Sequence, residues 1–138
     1  MFAMFMAKRL SKALRGKRRW IGVLVNHRYQ TRHSLDNLLA SITANIESKR
    51  PIKLMDFHPS EDEIAIASIQ HLMEHDGLQN TQAGVAILQV PLERSEGIRN
   101  LLGNEKSLQS MGMKSITTSG KIRLVRERMA LPKPVRKR

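Results

Sequence analysis

The residues of this 138-residue chain best suited to chemistry lie in KSITTSGKIRLVRER, Lys114 to Arg128. Hydroxyls and cations at the close spacing of Thr117, Ser119, Lys121, Arg123, Arg126 and Arg128 suit phosphate oxygens. No acid interrupts them before Glu127. Read with period two, Ile116, Ile122 and Leu124 fall on one parity. Thr117, Ser119, Lys121 and Arg123 fall on the other, which predicts one strand with a core face and a partner face. Gly120 leaves room for a bulge or for the close approach of another backbone. An ordinary edge strand kept soluble by its cations has the same pattern.

A second constellation is His71-Leu-Met-Glu-His75, which matches the inverted zincin pattern H-x-x-E-H. On a helix the two histidines share a face, and Glu74 could activate a zinc-bound water. A third ligand is required, and Glu93, Glu96, Glu105 and Glu127 stand in no recognisable ligand context. Two surface histidines near a turn are the plainer explanation, so no protein-bound metal is expected. G-x-S-x-G, G-x-x-x-x-G-K-[ST] and G-x-G-x-x-G are all missing, so neither an activated serine nor a phosphate-cradling loop is indicated. The chain has no cysteine and therefore no disulfide framework or thiolate site.

Charge is distributed unevenly. The net value is +12, yet residues 1–19 carry seven cations and no acid, and residues 114–138 carry nine cations and one acid. The intervening residues 20–113 hold eight cations against eleven acids. A near-neutral middle with basic ends is the footprint of a polyanion binder, nucleic acid before membrane. Arg28, Tyr29, Arg32 and His33 in the polar loop NHRYQTRH can hold a phosphate and stack a base, and an ordinary solvated loop has the same composition. Aromatics make up only 4% of the chain, so stacking cannot dominate. Contacts to phosphate and sugar of a structured RNA are expected instead, with strong salt dependence. The opening MFAMFMA is too short to span a bilayer.

These residues need a scaffold, and hydrophobic periodicity supplies one. Trp20 to Val25 predicts a strand. Ser34 caps a helix carrying Leu35, Leu38, Leu39, Ile42 and Ile46 at helical spacing. Ile52 to Phe57 is a brief extended piece. Ser60 to Asp76 is ambiguous: Ser60 with Glu63 and the stop at Gly77 argue for a helix, while Ile64 and Ile66 alternate as in a strand. Val85 to Val90 is apolar on both parities, as in a central strand. Leu92 to Leu102 predicts a second amphipathic helix before Gly103. The organisation is then a basic arm over 1–19, one α+β domain over 20–128, and a basic, disordered tail over 129–138. If the ambiguous stretch adds a strand beside Val85–Val90, the order is β-α-β-β-α-β. That is a ferredoxin-like split βαβ: an antiparallel sheet, both helices on one face, the other face open.

KRRWIGVLV, AGVAILQVPLERSEGIRNLL and TTSGKIRLVRER together resemble, in order and over about half the chain, a known family. It is the small ribonuclease P protein subunit of archaea and eukaryotes, archaeal ribonuclease P protein component two. The family's final strand usually reads Ser-Gly-Thr-Ile-Arg. Ser119, Gly120, Ile122 and Arg123 match it, and Lys121 replaces the threonine. Residues 48–63 look like an insertion, and the resemblance favours a strand for the second half of Ser60–Asp76.

The resemblance implies a non-catalytic subunit of the ribonucleoprotein that removes 5′ leaders from precursor tRNA. The RNA would hold the active site and its magnesium, and the protein would carry no cofactor. Its partners would be ribonuclease P RNA, precursor tRNA and a larger barrel-type protein subunit. The location would be cytoplasmic, or nucleolar or mitochondrial in a eukaryote. The RNA-binding positions it carries over are Arg18, Arg19, Ser119, Gly120 and Arg123. Charge adds Lys17, Arg28, Arg32, Lys121, Arg126 and Arg128. A ribosomal or ribosome-assembly protein is the alternative with the same charge logic.

Overall fold

The computed structural model describes residues 18–43, 52–79 and 81–132. They form four strands and five helices in the order β1 (Arg18–Asn26), α1 (Arg32–Thr43), β2 (Lys53–His58), α2 (Glu63–His75), β3 (Ala83–Pro91), α3 (Leu92–Leu102), α4 (Ser107–Ser110), β4 (Met113–Ser119) and α5 (Ile122–Arg128). The strands make one open sheet ordered β2-β3-β1-β4, with every neighbouring pair antiparallel. The two most apolar strands, β1 and β3, take the middle, because only there are both faces covered. Trp20 stands opposite Gln89 on one side and Ser119 on the other. No helix among the described residues is long and apolar enough to cross a membrane.

Alternation along β1 sorts the core into two halves. Ile21, Val23 and Val25 pack with Leu35, Leu39 and Ile42 of α1 and Ile98 and Leu102 of α3. Leu24 points the other way, into Ala65, Ile69 and Leu72 of α2 and Val125 and Met129 at α5. Helices therefore cover both faces. The expectation of helices on one face and a free second face is corrected: α2 and α5 occupy the second face.

The order of elements differs from the expected one in two places. The Ser60–Asp76 stretch is helical, so a helix stands between β2 and β3. Asp62, not Ser60, caps it, accepting a hydrogen bond from the Ile64 N–H at 2.8 Å. Ser60 is buried and accepts from Gln30 Nε2 at 3.1 Å. Gly77 follows the helix with φ of 70°, the left-handed conformation that glycine adopts freely. Helix α1 likewise starts before Ser34: the Thr31 hydroxyl accepts from the Ser34 N–H at 3.1 Å, and the Ser34 hydroxyl from the Thr31 N–H at 3.4 Å.

The second difference falls on the stretch richest in candidate residues. Strand β4 stops at Ser119, and Ile122–Arg128 turns into a helix. Ile122, Val125 and Met129 recur at helical spacing, and this row docks where Gly22 bares the backbone of β1. A β-carbon at Gly22 would overlap the Met129 sulfur and lie 3.0 Å from Val125 Cγ1. Burial continues past Arg128, with Met129 wholly buried and Leu131 nearly so. The expected tail boundary at 129 thus lies inside the packed region. Of the expected arm over 1–19, Arg18 and Arg19 open β1, while residues 1–17, like the tail from 133 onward, lie outside the described residues.

Candidate nucleic-acid interface

Strand register decides which cations meet. Arg18 stands opposite Pro91 at the last rung of β3, and Lys53 opposite Gln89. With Trp20 opposite both Gln89 and Ser119, the start of β1, the start of β2 and the end of β4 share one end of the sheet. Lys121 and Arg123 follow directly from that end. The Ser119 hydroxyl accepts the Lys121 N–H at 3.1 Å and turns the chain from strand to helix. Arg18, Lys53, Lys121 and Arg123 are all exposed. Among the described residues their side chains make no hydrogen bond and no ion pair. Four uncommitted cations at one end of a rigid sheet can bind several phosphate oxygens with little ordering of the backbone.

Arg19 belongs to the same end but is tied down. Its Nη1 donates to the Arg18 carbonyl at 3.2 Å and lies 3.0 Å from where a Gly120 β-carbon would be. The close approach that Gly120 permits is made by this guanidinium.

The other predicted cations among the described residues have partners inside the protein. Arg126 grips Asp56 of β2 through two hydrogen bonds, so its charge is spent on the fold. Arg128 Nη1 donates to Thr117 Oγ1 and to the Thr118 carbonyl, each at 3.0 Å. Arg32 Nη2 donates to the Leu54 carbonyl of edge strand β2. Arg28 lies 5.7 Å from the centroid of the Tyr29 ring, a cation–π distance. It follows β1 at the Asn26 end, where Asn26 faces Ala83, so it sits at the opposite end of the sheet from Arg18. Lys17 lies outside the described residues. The predicted set thus divides: Arg18, Arg19, Ser119, Gly120, Lys121 and Arg123 come together, and Arg28, Arg32, Arg126 and Arg128 do not join them as free cations.

Lys53 was missing from the predicted set. Its only sequence signal is a lone cation in a short extended piece. Its place in the cluster comes from pairing with β3, which pattern alone does not reveal.

The H-x-x-E-H residues lie on α2. The His71 and His75 rings are 4.4 Å apart between centroids and tilted by 47°. His71 also lines a cleft of about 560 Å3 shared with Asp76, Ser115, Thr117 and Arg128. Among the described residues no group of three or more histidine, cysteine or carboxylate side chains could hold a metal ion. Among the described residues the two histidines therefore find no third ligand beside them.

No protein-family model, no curated protein and no solved structure matches this chain.

Proposed function

We propose that this chain is a non-catalytic RNA-binding protein and that its assembly is a ribonuclease P-like ribonucleoprotein. In this reading the sheet is a ferredoxin-like framework with α2 and α5 added. The strand order β2-β3-β1-β4 with antiparallel neighbours supports that reading. One observation carries the RNA-binding part: Arg18, Lys53, Lys121 and Arg123 stand exposed and unengaged at one end of the sheet, in a chain of net charge +12. The resemblance of KRRWIGVLV, AGVAILQVPLERSEGIRNLL and TTSGKIRLVRER to the ribonuclease P subunit supplies the particle.

Because helices cover both faces of the sheet, RNA meets its end and not its broad face. Phosphates are held by Lys121, Arg123, Arg18 and Lys53; strand register sets the spacing of Arg18 and Lys53, and the turn after β4 presents Lys121 and Arg123 beside them. The protein then screens repulsion between packed RNA segments and leaves cleavage to the RNA and its magnesium.

The test is binding to a structured ribonuclease P RNA across a salt series. Changing Lys121 and Arg123 together to Ala lowers the log–log salt slope by about 1.5 and leaves the melting temperature in place. An unchanged slope overturns the reading. Reconstituted cleavage of precursor tRNA identifies the particle. RNA binding without any gain in cleavage would point to a ribosomal or ribosome-assembly role.

A further inference from the structure

The stretch from Leu54 to Glu93 carries seven acids and not one lysine or arginine, although the protein as a whole carries +12. Most of these acids surround α2. Glu61 and Asp62 precede the helix, Glu63 opens it, and Glu74 and Asp76 close it. Between them lies an apolar row that no described residue covers. Ile66 is 55% exposed and Met73 37% exposed. They border a groove of about 660 Å3 with Ile69, Gln70, Glu61 and Ala83.

Helical spacing puts Glu63, Ile66, Gln70, Met73 and Glu74 on one face. The bond from Gln70 Nε2 to Glu74 Oε1 at 3.4 Å runs along that face. Glu61 lines the groove itself, and Glu63 and Glu74 flank its apolar residues along the exposed face of α2. From Ile66 to Met73 the helix rises about 10 Å, which two turns of a facing helix would cover.

We propose that this face of α2 is a docking groove for a short, basic amphipathic helix of a protein partner. Apolar side chains of the partner at i, i+3/i+4 and i+7 would pack on the exposed Ile66 and Met73. Its lysines or arginines would meet Glu61, Glu63 and Glu74. Charge complementarity selects this occupant: the carboxylates repel RNA and anionic lipid and attract a cationic helix. The contact is too short for the area that a stable dimer of this chain requires. The groove stands independently of the RNA reading, because it uses none of the four cations.

The test uses the full-length protein and a fluorescein-labelled 14-residue amphipathic helix made only of leucine and lysine, followed by fluorescence anisotropy. Net charge opposes this encounter, so saturable binding isolates the local field of α2. Ile66→Ser with Met73→Ser is expected to weaken binding at least about tenfold. Glu61→Gln, Glu63→Gln and Glu74→Gln together are expected to weaken it by about tenfold at low salt, the loss shrinking as salt rises. All five side chains lie on the surface, and an unchanged melting temperature certifies each variant. A matched leucine–glutamate peptide should not bind. Equal affinity for both peptides, or wild-type affinity in both variants, overturns the proposal. Self-association of the unliganded protein that disappears in the Ile66/Met73 variant would assign the face to a second copy. Displacement of the probe by a peptide of residues 1–17 would assign it to the chain's own N-terminal segment. Either result also overturns the proposal.

Discussion

Arg126 holds Asp56 through two parallel bonds, Nε to Oδ2 at 2.9 Å and Nη2 to Oδ1 at 3.1 Å, with the two side chains only 16% and 15% exposed. The pair fastens α5 to edge strand β2, across β1 and β3. A bidentate pair this sheltered lies between an exposed bridge and a buried one in energy. Arg126→Ala, or Asp56→Ala, is expected to cost about 2 kcal/mol in urea unfolding, because each leaves the other charge poorly solvated. Replacing both, as Asp56→Leu with Arg126→Met, should cost less than the sum of the single changes. Additive losses would mean that the two residues do not act as a pair.

Two glycines of similar appearance in the sequence behave differently in the fold. At Gly22 a β-carbon overlaps the Met129 sulfur and presses tightly on Val125 and Thr117, all within the packed seam between β1, β4 and α5. Gly22→Ala should therefore destabilise by about 1–3 kcal/mol. At Gly120 the nearest neighbour is the far end of the Arg19 side chain, which can swing aside, and the backbone is not left-handed. Gly120→Ala should stay within about 0.5 kcal/mol of the parent. Thermal melts of the two variants check both values, and equal losses would contradict the packing described for α5.

Strands β1 and β3 and helix α3 were legible in the sequence because their signals are local and agree. Val85–Val90 is apolar on both parities and does lie at the centre of the sheet; Pro91 and Gly103 bracket α3 as helix signals predict. The end of β4 was not legible. Ile122 and Leu124 satisfy period two, while Ile122, Val125 and Met129 satisfy the helical period, and a segment this short fits both. Packing decides between them: Gly22 opens a gap that a helical row fills. The cation cluster was half legible for the same reason. Residue type marked Lys121 and Arg123, but only pairing could bring in Lys53 and only the fold could assign Arg126 to Asp56.

Burial beyond Arg128 gives a third expectation. Met129 is wholly buried beneath α2 and α5, in contact with the bare backbone of Gly22. Met129→Ala removes most of a core side chain and should cost about 2–5 kcal/mol. If position 129 belonged to a solvated tail, the change would cost nothing measurable. Chemical denaturation of this single variant distinguishes the two.

The last expectation concerns position and not charge alone. Lys53 and Arg28 are both exposed cations, and the sequence marked only Arg28. Register puts Lys53 beside Gln89, which in turn faces Trp20, at the Arg18 end, whereas Arg28 follows Asn26 at the other. The nine residues of β1 separate the two ends by roughly 26–30 Å, well beyond the Debye length of about 8 Å at physiological salt. If RNA is held at the Arg18 end, Lys53→Ala should lower the log–log salt slope by about 0.7–0.9, one phosphate contact. Arg28→Ala should leave it unchanged. The reverse result would move the interface to the Asn26 end of the sheet, where Tyr29 is available for stacking, and Arg18, Lys121 and Arg123 would then be ordinary solubilising charges.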